Sequence, residues 1–145
     1  MIWKTRPTVE FLKSHPSESM SDFLGIEITE VGDDYMVGRM PVSDRTRQPY
    51  GILHGGASCV LAETLGSVAG AFCVDMHSQI VVGLEINANH LRPAMDGYVI
   101  GTVRPIHIGK TTHVWDIKIT NEKNDLVCVS RLTLSVRPNP TLKQT

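Results

Sequence analysis

Gln48-Pro49-Tyr50-Gly51-Ile52-Leu53-His54-Gly55-Gly56-Ala57, and the apolar run that follows it to Val74, decide the fold. Within that run the only acidic side chain is Glu63, set among Leu, Val, Ala, Gly, Ser, Thr, Phe and Cys. A carboxylate in such company is costly to bury unless something satisfies or uses it. On a wheel of about 100° per residue, Leu61, Leu65, Val68 and Phe72 share one face, an apolar stripe suited to packing on a sheet. Glu63 falls nearly opposite, with Gly56, Cys59, Gly66, Ser67 and Gly70 around it. Glycine costs a helix about 1 kcal/mol relative to alanine, so three on one side need a reason. The reading is close packing or a substrate slot beside the carboxylate, and the two are compatible.

The start of the helix is equally informative. His54-Gly55-Gly56 follows the turn signal Gln48-Pro49-Tyr50-Gly51. The first N–H groups of a helix lack internal partners and sit at the positive end of its dipole. A glycine there lets an acceptor oxygen approach, which is what an oxyanion hole requires. Gly55 and Glu63 are eight residues apart, or about 12 Å along one helix. Both must lie within about 3–3.5 Å of the reacting atoms to act on one carbonyl. Two antiparallel copies of the helix could meet that demand, so an active site here is expected to span two chains.

The rest of the chain fits one domain. It has 145 residues, 41% hydrophobic and 20% charged, with a formal net charge of −1. Near-neutral charge gives no basic field for nucleic acid, and no run reads as a membrane span. There is no signal-peptide core after Met1 and no peroxisomal address at Lys143-Gln144-Thr145, so the cytoplasm is the expected location. Three cysteines, Cys59, Cys73 and Cys128, in apolar settings suggest reduced thiols. Cys73 and His77 form a lone pair without further ligands, so no metal is expected, and no cofactor is implied.

In chain order, Thr8 to Leu12 reads as a short helix and Ser17 to Phe23 as another turn. Leu24–Val31 and Tyr35–Val42 around Gly32-Asp33-Asp34 read as a hairpin. A helix from about His54 to Asp75 follows, then strands over Gln79–Arg92, Tyr98–Ile106, His113–Thr120 and Leu126–Val136. The last four, joined by short turns, imply antiparallel pairing. The pattern predicts an α+β fold, a six-stranded antiparallel sheet wrapped around one long central helix. One domain is expected over residues 1–136, with a disordered tail over 137–145.

The stretches Gln48–Ala57, Leu61–Ser67 and Val82-Gly83-Leu84-Glu85-Ile86-Asn87-Ala88-Asn89-His90 resemble the hotdog-fold acyl-CoA thioesterases of the PaaI-type branch. The resemblance implies hydrolysis of an aromatic acyl-CoA, with 1,4-dihydroxy-2-naphthoyl-CoA of menaquinone synthesis the leading candidate. It implies Glu63 as nucleophile or general base, and Gly55 N–H as the group polarising the thioester carbonyl. Gln48 and His54 would orient that carbonyl, and Ser67 would hold a water or the carboxylate. Val68, Val82 and Gly83 are expected at the acyl group, and His90, Arg92, His107 and Lys110 near the CoA phosphates. A homo-oligomer is expected, a dimer at the least and a homotetramer as the full assembly, with acyl-CoA the only other partner. Three other readings compete. One is a proofreading thioesterase acting on misacylated aryl carrier protein. Another is an acyl-thioester hydratase or dehydratase, which needs its histidine at the substrate α-carbon. The last is a non-catalytic acyl-CoA binding module, which has no need of a buried carboxylate.

Overall fold

The computed structural model of the chain describes residues 1–141. Its elements are α1 (Val9–Ser14), α2 (Met20–Phe23), β1 (Glu27–Val31), β2 (Met36–Pro41), α3 (Gly55–Phe72), β3 (Gln79–His90), β4 (Tyr98–Ile108), β5 (Thr112–Asn121) and β6 (Leu126–Pro138). The strands form one sheet in the order β1-β2-β4-β5-β6-β3, and every neighbouring pair is antiparallel. The expected sheet around one long helix is what forms.

One connection and one boundary differ from the sequence reading. β3 and β4 do not make a hairpin, because β3 pairs with β6 and β4 with β2. The segment between them passes the start of α3, where Ala94 is buried and its carbonyl accepts from Leu53 N–H at 2.7 Å. β6 also outlasts the expected boundary, since Arg137 and Pro138 pair with Ile80 and Gln79. Beyond it Asn139 N–H donates to Ser78 O at 2.9 Å. The part of the expected tail over 142–145 lies outside the described residues.

The helix explains the core. Leu61, Ala62, Leu65, Ala69 and Phe72 are buried, together with Trp115, Ile117, Leu132 and Leu134 of the sheet. Val68 is only half-buried, so it leaves the predicted stripe. The buried arc is instead centred nearer Leu65 and Ala69, because the sheet approaches the small residues closely. A Cβ on Gly66 would overlap Leu132 Cδ2, and one on Gly70 would stand 2.6 Å from Leu134 Cδ1. The Gly66 and Gly70 positions expected to leave room beside Glu63 are thus filled by β6 side chains. Gly38 and Gly101 make the same allowance for Leu65 from the strand side, at 2.6 Å each. At the opening of the chain, buried Trp3 donates from Nε1 to Gly32 O at 2.8 Å, and Lys4 N–H donates to Phe72 O.

Among the buried polar side chains, one ring stands out. His113 on β5 is fully buried, and among the described residues neither of its ring nitrogens nor Trp115 Nε1 has a hydrogen-bond partner. Burial holds the His113 imidazole below its ordinary value, the nearby His107 adds to this, and a backbone interaction with Gly109 opposes it. Folding therefore favours the neutral form of the ring. Its ordinary value near 6.5 applies in the unfolded chain. The stability it contributes is complete above that value and is lost as pH falls through it toward the depressed folded value.

Two outcomes follow from this packing. Gly66→Ala should lower the melting temperature despite a helix-propensity gain of about 1 kcal/mol, and an unchanged or raised value would contradict the close approach of Leu132. Thermal melts at about pH 7.5 and about pH 5.5 should show a larger acid-induced fall for the parent chain than for His113→Phe. Equal falls would show that the ring does not titrate out of the fold.

Candidate active site

The site begins at a tight loop. Gln48 N–H donates to Ile52 O, and Gly51 N–H donates back to Gln48 O, both at 2.9 Å. Gly51 sits at φ +82°, a conformation that favours glycine. Inside the loop Gln48 Oε1 accepts from Tyr50 N–H at 2.6 Å. That fixes the side chain and leaves its amide NH2 as a free donor. An antiparallel bridge between Arg47 and Leu53 closes the loop and delivers the chain to α3.

His54 is the N-cap of α3, and its Nδ1 accepts from Gly56 N–H at 2.8 Å. Accepting at Nδ1 puts the proton of the neutral ring on Nε2, which is left as a donor. The capping also assigns the helix amides. Ala57 and Ser58 N–H donate to His54 O and Gly56 N–H to the His54 ring, while Gly55 N–H has no partner among the described residues. It is an unclaimed donor at the positive end of an 18-residue helix. A Cβ on Gly55 would stand 2.8 Å from His90 Nε2, so the His90 ring packs over the bare glycine. His90, assigned from sequence to the CoA phosphates, therefore lies against the helix start.

Glu63 lies two turns on, half-buried, with no hydrogen bond or ion pair among the described residues. Its Oε1 points at β3, where a Cβ on Gly83 would stand 2.5 Å away. Gly83 is thus the gap in the strand that admits the carboxylate. Val82, its neighbour, points to the other sheet face and is 42% exposed, so within one chain it does not meet Glu63. Ser67, one turn after Glu63, makes no bond to it but lines the same groove of about 340 Å³, with Met20, Val60, Thr64 and Val68. Met20 and Thr64 were not legible as site residues. α2 is a single turn without periodicity, and Thr64, next to Glu63 in sequence, is turned about 100° from it on the wheel.

His107 and Lys110 are elsewhere. Gly109 and Lys110 border a hollow with Cys73 and Val74, just past the far end of α3. Exposed Arg92 follows His90 near the start of the helix. One chain therefore holds the four expected phosphate contacts as two pairs at opposite ends of α3.

The cysteines offer no rival nucleophile. Burial and then the Glu63 charge hold the Cys59 thiol up, burial pushes Cys73 up to about 12, and burial, with Cys59 nearby, pushes Cys128 up to about 11. All three are free thiols. Among the described residues no three His, Cys, Asp or Glu side chains gather as a metal site, and no helix is long and apolar enough to cross a membrane.

The Thioesterase superfamily profile matches residues 50–128. The 1,4-dihydroxy-2-naphthoyl-CoA hydrolase of Escherichia coli K12 is 51% identical over 94% of this chain and 99% of its own length. The proofreading thioesterase EntH of Cronobacter turicensis is 46% identical over 94% and 98%. Among solved structures, a mutant of thioesterase PA1618 from Pseudomonas aeruginosa superposes with a TM-score of 0.93 at 45% identity, covering 96% of this chain and all of that one. Sequence, fold and relatives agree that the chain belongs to the Thioesterase superfamily, as a thioester hydrolase of the hotdog fold.

Proposed function

We propose that the chain hydrolyses an aromatic acyl-CoA in the cytoplasm, with 1,4-dihydroxy-2-naphthoyl-CoA as the favoured substrate, at a site shared between two copies. The observation that carries this reading is the unclaimed Gly55 N–H, on the same helix as an unpaired Glu63. In the reaction the thioester carbonyl oxygen accepts from Gly55 N–H, which stabilises the charge that develops on it. The Gln48 amide and His54 Nε2–H supply neighbouring donors. Glu63 either takes a proton from the attacking water or attacks the carbonyl carbon itself. By both routes the C–S bond breaks, water supplies the acid's oxygen, and the CoA thiolate leaves as thiol. Ser67 lies where it can hold the water or the carboxylate. The CoA phosphates are placed toward His90 and Arg92.

Two features support a second copy. The outward stripe of α3, with Val60, Glu63, Thr64, Ser67 and Val68, is only half-covered. Beside it, β3 is an edge strand with Val82 and Leu84 42% and 58% exposed. An apolar edge of this kind is ready to pair with another chain. Antiparallel stacking would carry the Gly55 of one copy to the Glu63 of the other, and a homotetramer would pair two such dimers.

The naphthoyl preference follows the name of the Escherichia coli relative, and the EntH relative supports hydrolysis of aryl carrier-protein thioesters as the second reading. Rates on one acyl group attached either to CoA or to carrier protein separate the two.

Glu63→Gln should lower kcat by about 10²–10⁴ with the fold intact, while His54→Ala should cost less because the Gly55 N–H remains. A folded Glu63→Gln variant with near-parental kcat would end the assignment. Mixing Glu63→Gln chains with Gln48→Ala chains should recover about a quarter of parental activity, since half of the dimers would carry one intact site of two. No recovery under confirmed subunit exchange would place a complete site in each chain.

A further inference from the structure

The groove beside Glu63 adjoins two larger cavities along α3, and it shares Val68 with both. The cavity toward β1, about 430 Å³, is bordered by Lys13, His15, Asp22 and Glu27. An apolar group seated there would strip water from charged side chains. The cavity toward β3, about 390 Å³, is lined by no ionisable side chain among the described residues. Ala71, Val74, Met76, Ile80 and Val81 wall it, and Ser67 joins it to the Glu63 groove. Its size is usual for a small-molecule site. Glu63, Ser67 and Ala71 follow one another at four-residue spacing, so Ala71 stands two turns, about 12 Å, beyond the acid on one side of α3. Gly66 and Gly70 are turned to Leu132 and Leu134, so the room along this side of the helix is left by the half-buried Ala71.

We infer that the β3-side cavity takes the aryl end of the acyl group, and that Ala71 sets how large a ring system it admits. The inference rests on the thioesterase reading of Glu63 and concerns only the end of the substrate remote from the thioester. With the carbonyl at Glu63, a first ring lies along the Ser67 turn, and a second fused ring needs the apolar volume beyond it. Moving that ring out of water onto Val74, Ile80 and Val81 is favourable, and no charged group is desolvated in exchange. A side chain longer than alanine at position 71 would lean toward the helix N-terminus, over Ser67 and across the path from the acid. The open side of the cavity runs along the edge strand β3, so pairing with a second copy there would roof the ring. Ala71 is thereby a specificity-determining residue that touches no reacting atom.

The test compares kcat/KM for benzoyl-CoA and 2-naphthoyl-CoA in the parent chain, Ala71→Val and Ala71→Phe, with the oligomeric state of each measured by light scattering. Ala71→Phe should lower the naphthoyl-to-benzoyl ratio by about tenfold or more, and Ala71→Val by about threefold or more. The valine variant is the smaller change and carries the test if the phenylalanine variant does not fold. A ratio within about twofold of the parent's in the folded variants overturns the inference. Equal losses on both substrates with dissociation into monomers overturn it as well, and give the cavity to the second copy. A parent chain that hydrolyses benzoyl-CoA but not 2-naphthoyl-CoA overturns it while sparing the thioesterase reading. A parent chain inactive on both thioesters overturns both.

Discussion

The close approach of α3 to β6 is the constraint on which the rest of the molecule depends. The helix can sit in the curve of the sheet only where it offers no side chain to Leu132 and Leu134, at Gly66 and Gly70. Leu65 is accepted in turn where the strands offer none, at Gly38 and Gly101. Interiors pack this tightly throughout, so the fit fixes the helix in both rotation and depth. Once rotation is fixed, Glu63 must project toward β3, and Gly83 is the position at which β3 makes room for it.

The same rigidity fixes the other half of the chemistry. His54 takes the Gly56 amide as its capping partner and leaves the Gly55 amide unclaimed. A helix is stiff, so the donor and the acid keep their separation of about 12 Å. An oxyanion donor preorganised in this way costs nothing to orient when the thioester arrives. In the proposed reaction the fixed separation is also what calls for a second copy of the helix. It thereby ties catalysis, as proposed, to the edge strand β3, where Gly83 faces the acid and exposed Val82 and Leu84 are open to a second copy.

Much of this was legible in the sequence because it is local. The helix, the His54 cap position, the Gly55 amide and the isolation of Glu63 all follow from neighbours in the chain, and the hotdog resemblance rested on the same residues. What depended on tertiary partners was not legible. A wheel places Gly66 and Gly70 near Glu63 but is silent on Leu132 and Leu134, so close packing and a slot stayed open together until the sheet supplied the partner. Short turns suggested a β3–β4 hairpin, yet β3 pairs with β6, and the chain after it passes the helix start on its way to β4. His90, Arg92, His107 and Lys110 look alike as polar strand-end residues, and only the fold divides them between the two ends of α3. Met20 lies on the single turn α2, too short to carry a periodic signal that would have aimed it at the groove.

The most direct test of a shared site is a crystal structure of the full chain with a CoA analogue in which a methylene separates the carbonyl from sulfur, so that it cannot be hydrolysed. The account predicts its carbonyl oxygen within about 3 Å of one chain's Gly55 N–H. The Glu63 carboxylate facing the carbonyl carbon should belong to the other chain. A carbonyl held by Gly55 and Glu63 of the same chain, or by neither, would contradict it.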